Sequence, residues 1–531
     1  MKKLKAILAL ILVACLFVTL FAACAKNDEQ PTTNNQPSTE NNQQNNTQDE
    51  DKPTDADTQQ PDDNEEVEIT DVIFWVFDDR GSGAANEARI EAAMNKITEP
   101  EGVHVDISYL NIGDYKTKVQ LAISGGERID LLQIFLNSQI AQARSINMLR
   151  DDITDIYKEY AADALEVVAP YMAPYMDKDG TIYGLPVQRA HVGGTFWLFN
   201  KEVAVELCLE EKIANLDSYS ELEEILSIVQ NAYPDWYAIQ PYQTYGVIPQ
   251  SYGGDLFADS VVSDSVGDSI GMVYNNDGKI ELLPASQHYL DSVKLSANWF
   301  NKGYVWPDGL YNKEDGNSNM KAKVSFAAMT SSEGSAKAVG ATKSALFDYE
   351  VLCVEAPYPR MFSTGSVSFW GMGIPTSCQE PEAACKLLNM LYTNADLMNV
   401  FVHGEEGVDY QVIDGEAHKL ENGYSEGNYV VGNNFLTWPV AGTGADHWEA
   451  IKKINEETQL SPFMGFVLDT SKLDLYIAQI NAVRDQYHQT MVNGGYTPES
   501  YQEYLDKLQD ADVQGYLDAI QTQLDAWVAA N

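Results

Sequence analysis

Between Val67 and Asn137 three apolar runs alternate with two stretches of helical spacing, and this order restricts the fold more than any other feature of the chain. The first run, VEITDVIFWVFDD (Val67 to Asp79), begins by alternating and ends continuously apolar, as a strand covered on both faces does. ANEARIEAAMNKIT then sets Ala85, Ile90, Ala93, Met94 and Ile97 at helical intervals. VHVDISYLN (Val103 to Asn111) alternates as a second strand, and GDYKTKVQLAISGG is a helix closed by Gly125 and Gly126. IDLLQIFLN (Ile129 to Asn137) is the third strand. A βαβαβ order implies parallel strands with right-handed crossovers, so an α/β fold is expected. Ligands of such sheets bind beyond the carboxyl ends of the strands, which singles out Asp79 and Asn137. At Asn137 a turn-forming role competes with ligand contact.

The amino terminus points to a location. Lys2, Lys3 and Lys5 precede a run from Ala6 to Ala23 that is apolar except for Thr19, the layout of a secretory signal. About 18 apolar residues can also just span a bilayer, so an uncleaved anchor is the competing reading. Phe21-Ala22-Ala23-Cys24 resembles a lipobox, with Phe21 where the pattern prefers Leu. A diacylated Cys24 carries the two chains that stable anchoring requires. From Ala25 to about Glu66 the chain is Asn, Gln, Thr, Pro, Asp and Glu with almost no apolar residue, too little to offset the entropy of folding. Residues 1–23 are therefore expected to be a lipoprotein signal peptide, and 24–66 a lipidated cysteine with a disordered acidic tether. The body would sit on the extracytoplasmic face of the membrane, held through its lipid anchor.

The formal net charge is -45, from 34 basic and 79 acidic residues, which argues against nucleic acid as a partner. It does not imply a cationic ligand, since a solvated acidic surface has the same cause. The body from Val67 to Asn531 is too long for one small core and suggests two or more domains. Of its cysteines, Cys378 and Cys385 could pair, although spacing alone does not establish a disulfide. No CxxC or Cys/His cluster is present, and neither a metal nor a cofactor is expected.

DKDGTIYGLPVQRAHVGGTFWLFNKEVA (Asp177 to Ala204) carries two extended runs, the second entering a helix at Lys201. The order of an amino-terminal βαβ unit, an IYGLP strand and a strand ending in FNK resembles the extracellular solute-binding proteins of ABC importers, in their carbohydrate-type branch. KVSFAAMTSSEGSAKAV (Lys323 to Val339) is similar to their strand returning to the first lobe, and VSFWGMGIPTSC (Val367 to Cys378) to their last crossing strand. HGEEGVDYQVIDG (His403 to Gly415) resembles a short pattern recurring in Gram-positive lipoproteins of this class, and the stretch from Val483 to Trp527 is similar to their helical carboxyl-terminal end. The resemblance implies a two-lobed periplasmic-binding-protein-like fold with three interlobe crossings and a ligand site in the cleft. Its first lobe would be 67–187 plus 323–372 and its second 193–318 plus 378–531. The crossings would fall near 188–192, 319–322 and 373–376. It also implies a small-molecule solute, preferably a sugar or oligosaccharide, a monomeric binder, hinge closure and delivery to ABC permease subunits in the membrane.

A cleft that reads sugars needs aromatic faces beside planar polar side chains. Gln188, Arg189 and His191 sit at the expected first crossing, where a guanidinium could clamp vicinal hydroxyls or instead form a salt bridge. Trp370 lies on VSFWGMG, where Gly371 and Gly373 allow close approach. Tyr410 and Trp438 in expected second-lobe loops and Tyr252 in a turn-rich aromatic stretch are candidate stacking platforms, whereas Trp75 reads as core. Ser331 and Ser332 are placed to cap a helix. A peptide or amino-acid derivative is the alternative ligand, because Arg189 would suit its carboxylate. A secreted glycosidase would need two carboxylates at set separation, which a sequence with 79 acids cannot exclude. No G-x-S-x-G, H-E-x-x-H or Walker A run is present, however, and DKDGTIYG lacks the closing Glu of a calcium loop.

Overall fold

The βαβαβ unit folds as its pattern dictates. Strands β1 (Thr70–Asp78), β2 (Val103–Asn111) and β3 (Leu131–Phe135) are parallel, with β1 between the other two. The helices Gly83–Thr98 and Ile112–Ser124 connect them, the second capped by the Asn111 side chain, which accepts the Gly113 N–H at 2.9 Å. A computed structural model describes residues 67–531 apart from 136–139, 141–142, 145, 242–245, 267–269, 275–276, 312–316 and 428. The expected signal peptide, Cys24, the tether and Asn137 lie outside the described residues.

β4 (Leu185–Pro186) ends the first excursion, and β5 (Gly194–Asn200) and β6 (Tyr237–Gln240) begin a second lobe. A small antiparallel meander follows: β7 (Ser263–Asp264), β8 (Gly271–Tyr274) and β9 (Ile280–Leu282). β10 (Ser325–Ser332) and β11 (Val351–Ala356) complete a four-stranded sheet of order β11-β5-β10-β6. The chain then passes through β12 (Met361–Phe362) and returns as β13 (Trp370–Gly373), which pairs antiparallel to both β3 and β4 in the five-stranded sheet. Each sheet has its own core. Val72, Phe74, Leu132 and Met372 belong to the first, and Trp197, Phe199, Phe326 and Trp299 to the second. Burying each large side chain contributes about 1.5–3 kcal/mol. A third core forms where the carboxyl-terminal helices Asp474–Thr490, Pro498–Asp510 and Val513–Ala530 pack on the meander. The helix Gln287–Asn301 joins it to the second lobe, giving Trp299 to one core and Tyr289 to the other.

The expected lobe boundaries need correction. β10 does not return to the first lobe but lies antiparallel to β5 and parallel to β6. Its small Ala327 and Ala328 stand opposite Phe199 and Leu198, so the bulk of β5 is accommodated by the absence of bulk on β10. No passage between the sheets occurs at 319–322, because the helix Asn317–Lys321 leads directly into β10. The passages are 187–193, 357–369 and 458–463, where Gln459–Leu460 pairs with β12. Nor does the chain cross at 373–376. The helices Pro381–Thr393 and Ala395–His403 stay on the first core, burying Leu387, Leu388 and Phe401, the last with its ring 6.4 Å from Phe74. Cys378 and Cys385 are buried as free thiols, not a disulfide. Ser335, not Ser331 or Ser332, caps the helix Ala336–Phe347.

Candidate ligand-binding cleft

A cavity of about 1470 Å³ opens beside the first two passages, lined from both lobes. Trp370 and Tyr429 come from the first lobe, Arg189 and His191 from the first passage, and Ser331 and Glu333 from the end of β10. Strand alternation explains how Trp370 reaches it. On β13 a side chain at Gly371 would collide with Tyr175, and one at Gly373 would meet Ile134 and Leu149 at 2.8 Å, so both glycines face the core and not a ligand. Trp370 projects to the other face. Its ring stacks on Phe77 at 5.2 Å and 21°, with Phe369 edge-on at 5.1 Å and Tyr429 tilted at 5.6 Å. The cleft therefore contains a packed aromatic group whose rings are held by one another.

Asp79 does not line the cavity but organises two residues that do. Its carboxylate accepts the Tyr429 hydroxyl at 2.8 Å and pairs with Arg80 at 3.2 Å. Behind it, one oxygen of the buried Glu426 accepts the backbone N–H groups of Asp79 at 2.8 Å, Arg80 at 3.2 Å and Gly427 at 2.9 Å. Burial, reinforced by the Asp78 and Asp79 charges, pushes the Glu426 carboxyl up to about 8 despite those donors.

Arg189 is buried and already engaged. One Nη donates to Glu333, the other to the Ser366 carbonyl at 3.3 Å, and the guanidinium lies 5.9 Å from the Phe369 ring centre. With its charge met by Glu333, the reason to expect a ligand carboxylate there is lost. His191 packs against Tyr171 at 4.1 Å and Phe362 at 5.9 Å. Its two ring nitrogens are buried without hydrogen-bond partners among the described residues, and burial, then Arg189, holds its pKa well below the usual value. The imidazole is neutral and can offer one donor and one acceptor.

The other sequence candidates lie elsewhere. Gln188 ties the first passage to the first lobe, its N–H donating to Gly432 and its carbonyl accepting from Asn434, both at 2.9 Å, and it does not line the cavity. Tyr252 packs on Tyr219 at 5.0 Å in the second lobe. Tyr410 is buried against His403 at 5.3 Å, and the backbone of Trp438 is held by Asn399 and His403. None of these three rings lines the cavity, and Tyr410 and Trp438 follow the first-lobe core, not the second lobe. Trp448 lines it instead, its indole N–H donating to the Thr437 carbonyl at 2.6 Å. Glu333, Tyr429, Phe369 and Trp448 escaped the sequence reading. Only Glu333 carried a signal, as it directly follows a strand end. Among the described residues no group of three or more His, Cys, Asp or Glu could hold a metal ion. Aromatic rings beside hydroxyls and planar polar groups can bind a neutral polyhydroxylated molecule by stacking and hydrogen bonding.

Comparison with known proteins agrees with this geometry. Residues 92–402 match the profile of the bacterial extracellular solute-binding protein family, and residues 462–529 match a domain of unknown function, DUF3502. A carbohydrate ABC transporter substrate-binding protein of Streptococcus pneumoniae serotype 4 is 23% identical over 462 residues, covering 84% of this chain and 89% of that protein. The crystal structure of the N-glycan transport solute-binding protein NgtS from Streptococcus pneumoniae superposes with a TM-score of 0.74 at 21% identity, covering 86% of this chain and 99% of that one. The same protein in complex with Man5GlcNAc gives 0.63 at 21% identity, over 87% and 99% of the two chains. The S. pneumoniae binding protein FusA in complex with kestose gives 0.56 at 16% identity, over 87% and 100%.

Proposed function

The chain belongs to the bacterial extracellular solute-binding proteins, and from that premise we propose that it captures an oligosaccharide outside the cell for an ABC importer. One observation carries the ligand class: the aromatic group around Trp370 shares its cavity with hydroxyl and planar polar side chains, while the one buried guanidinium there, Arg189, is already paired. Relatives named for carbohydrate transport, N-glycan transport and a kestose complex support the same class. The protein binds and releases its ligand unchanged, and closure of the two lobes about the three passages presents it to the membrane permeases. Acylation of Cys24 tethers the body to the outer face of the membrane, and the protein acts as a monomer.

A thermal-shift screen of the purified protein against mono- and oligosaccharides, amino acids and short peptides tests this. A ligand at about 100 times its Kd stabilises the fold by ~2.7 kcal/mol. Shifts are expected with oligosaccharides. Shifts with peptides alone would keep the importer and reverse its substrate, and shortened sugar products would make the protein an enzyme.

A further inference from the structure

The carboxyl-terminal region, whose matching family model is a domain of unknown function, forms part of the cleft. Thr470, Ile477, Asn481 and Arg484 line the same cavity as Trp370 and Arg189. The last three are spaced i, i+4 and i+7 on the helix Asp474–Thr490, so they share one face. The adjoining side of that helix is committed to packing, with Ile480 fully buried and Tyr476, Val483 and Tyr487 against the third core, which Ile477 also touches. The cleft-facing stripe is of another kind. It carries an amide and a guanidinium side by side, Arg484 donating to the Asn481 side-chain oxygen at 3.4 Å while also interacting with the Tyr504 hydroxyl of the third core, next to a half-buried isoleucine. Planar donors and acceptors beside an apolar surface suit vicinal hydroxyls and the adjoining face of a sugar ring. Size points the same way. At about 1470 Å³ the cavity exceeds the ~300–1,000 Å³ of ordinary small-molecule sites and has room for several sugar units.

We propose that this helix is a second recognition surface of the cleft, contacting the sugar units of an extended oligosaccharide that lie beyond the Trp370 platform. The region of unknown function would then set the length or branching of the saccharide accepted. The inference rests on the carbohydrate reading above. It predicts that the helix matters to long ligands and is silent to short ones.

The test is isothermal titration of the whole protein with saccharide ladders from disaccharide to hexasaccharide: N-glycan fragments from Man1GlcNAc to Man5GlcNAc, and fructo-, manno- and malto-oligosaccharides. Asn481→Ala removes the amide. Thr470→Trp adds bulk at an exposed position of the same wall without touching a core. For the series that the unaltered protein binds, both variants should weaken the hexasaccharide about tenfold and leave the disaccharide within about twofold. Retained disaccharide binding shows that the variants are folded. Wild-type affinity at every length in both variants overturns the inference while leaving the carbohydrate reading intact, and so does an equal loss at every length. If the unaltered protein binds no ladder, the carbohydrate reading falls and the inference falls with it.

Discussion

Arg189, in the first passage between the lobes, donates to Glu333 at the end of β10, and the two side chains are unequally buried: 7% of the arginine's surface is exposed against 40% of the glutamate's. Removing either partner strands the other, but the costs differ. Glu333→Gln leaves a guanidinium inside the protein without its carboxylate and should cost about 3 kcal/mol in denaturant unfolding. Arg189→Met keeps the volume and leaves a carboxylate that water can reach, so about 1 kcal/mol is expected. Equal small losses would show that solvent screens both charges, and equal large ones that burial, which raises the Glu333 carboxyl, desolvates both.

The stack of Trp370 on Phe77 makes one ring serve packing and binding together. Trp370→Ala opens the first-lobe core and should cost about 3–5 kcal/mol of stability. Trp370→Phe keeps an aromatic in the stack and separates the two roles. It should lose less than half that stability yet bind the preferred oligosaccharide about tenfold more weakly, because the wider indole face is gone. Titration calorimetry and thermal unfolding of the two variants read the two effects independently, and unchanged affinity in both would remove Trp370 from the binding surface.

Local structure was legible in the sequence, and lobe membership was not. β2 has the limits that VHVDISYLN implies, and β5 ends where GGTFWLFN ends but begins one residue later, because alternation and a strand-to-helix junction are local signals. β10 reads as a strand, but the sheet it joins is not legible. Alternation says that a strand has a buried face, while its neighbours depend on side-chain volumes on another strand more than a hundred residues away. The site divides in the same way. The strand-end rule points to Asp79, which stands behind the cavity and does not line it, and the glycines of VSFWGMG point to Trp370, though those glycines serve the core. Tyr252, Tyr410 and Trp438 read as loop aromatics, and in a loop a ring packs on its neighbours as readily as on a ligand. Asn481 and Arg484 had no local signal, since only the third core turns their helix toward the cleft.

Acylation of Cys24 predicts a simple fractionation result. The native chain should partition with the membrane and incorporate a labelled fatty acid. Cys24→Ala should incorporate none, because it lacks the sulfur that the proposed lipid attachment requires. If the variant remains in the membrane in undiminished amount, the apolar run from Ala6 to Ala23 is itself the anchor and the lipobox resemblance misled.

Glu426 predicts the pH dependence of the first lobe. Its carboxyl is held up to about 8 from an ordinary 4.5, first by burial and then by Asp78 and Asp79. Between those values the native state keeps a proton that the unfolded chain releases, so this group lowers stability as pH rises through the window and has no further effect above it. Glu426→Gln preserves the oxygen that accepts from Asp79, Arg80 and Gly427 but cannot ionise. The variant and the native protein should be equally stable near pH 5. At pH 8 the variant should be the more stable by on the order of 3 kcal/mol. Burial lowers the pKa values of His191 and His403, which contribute a slope of opposite sign below about pH 6.5, but both residues are common to the two proteins and cancel in the difference. Urea unfolding of both proteins at half-unit intervals from pH 5 to 9 measures that difference. A gap that does not grow with pH would mean that Glu426 is ionised in the folded protein at neutral pH, with its second oxygen reached by water.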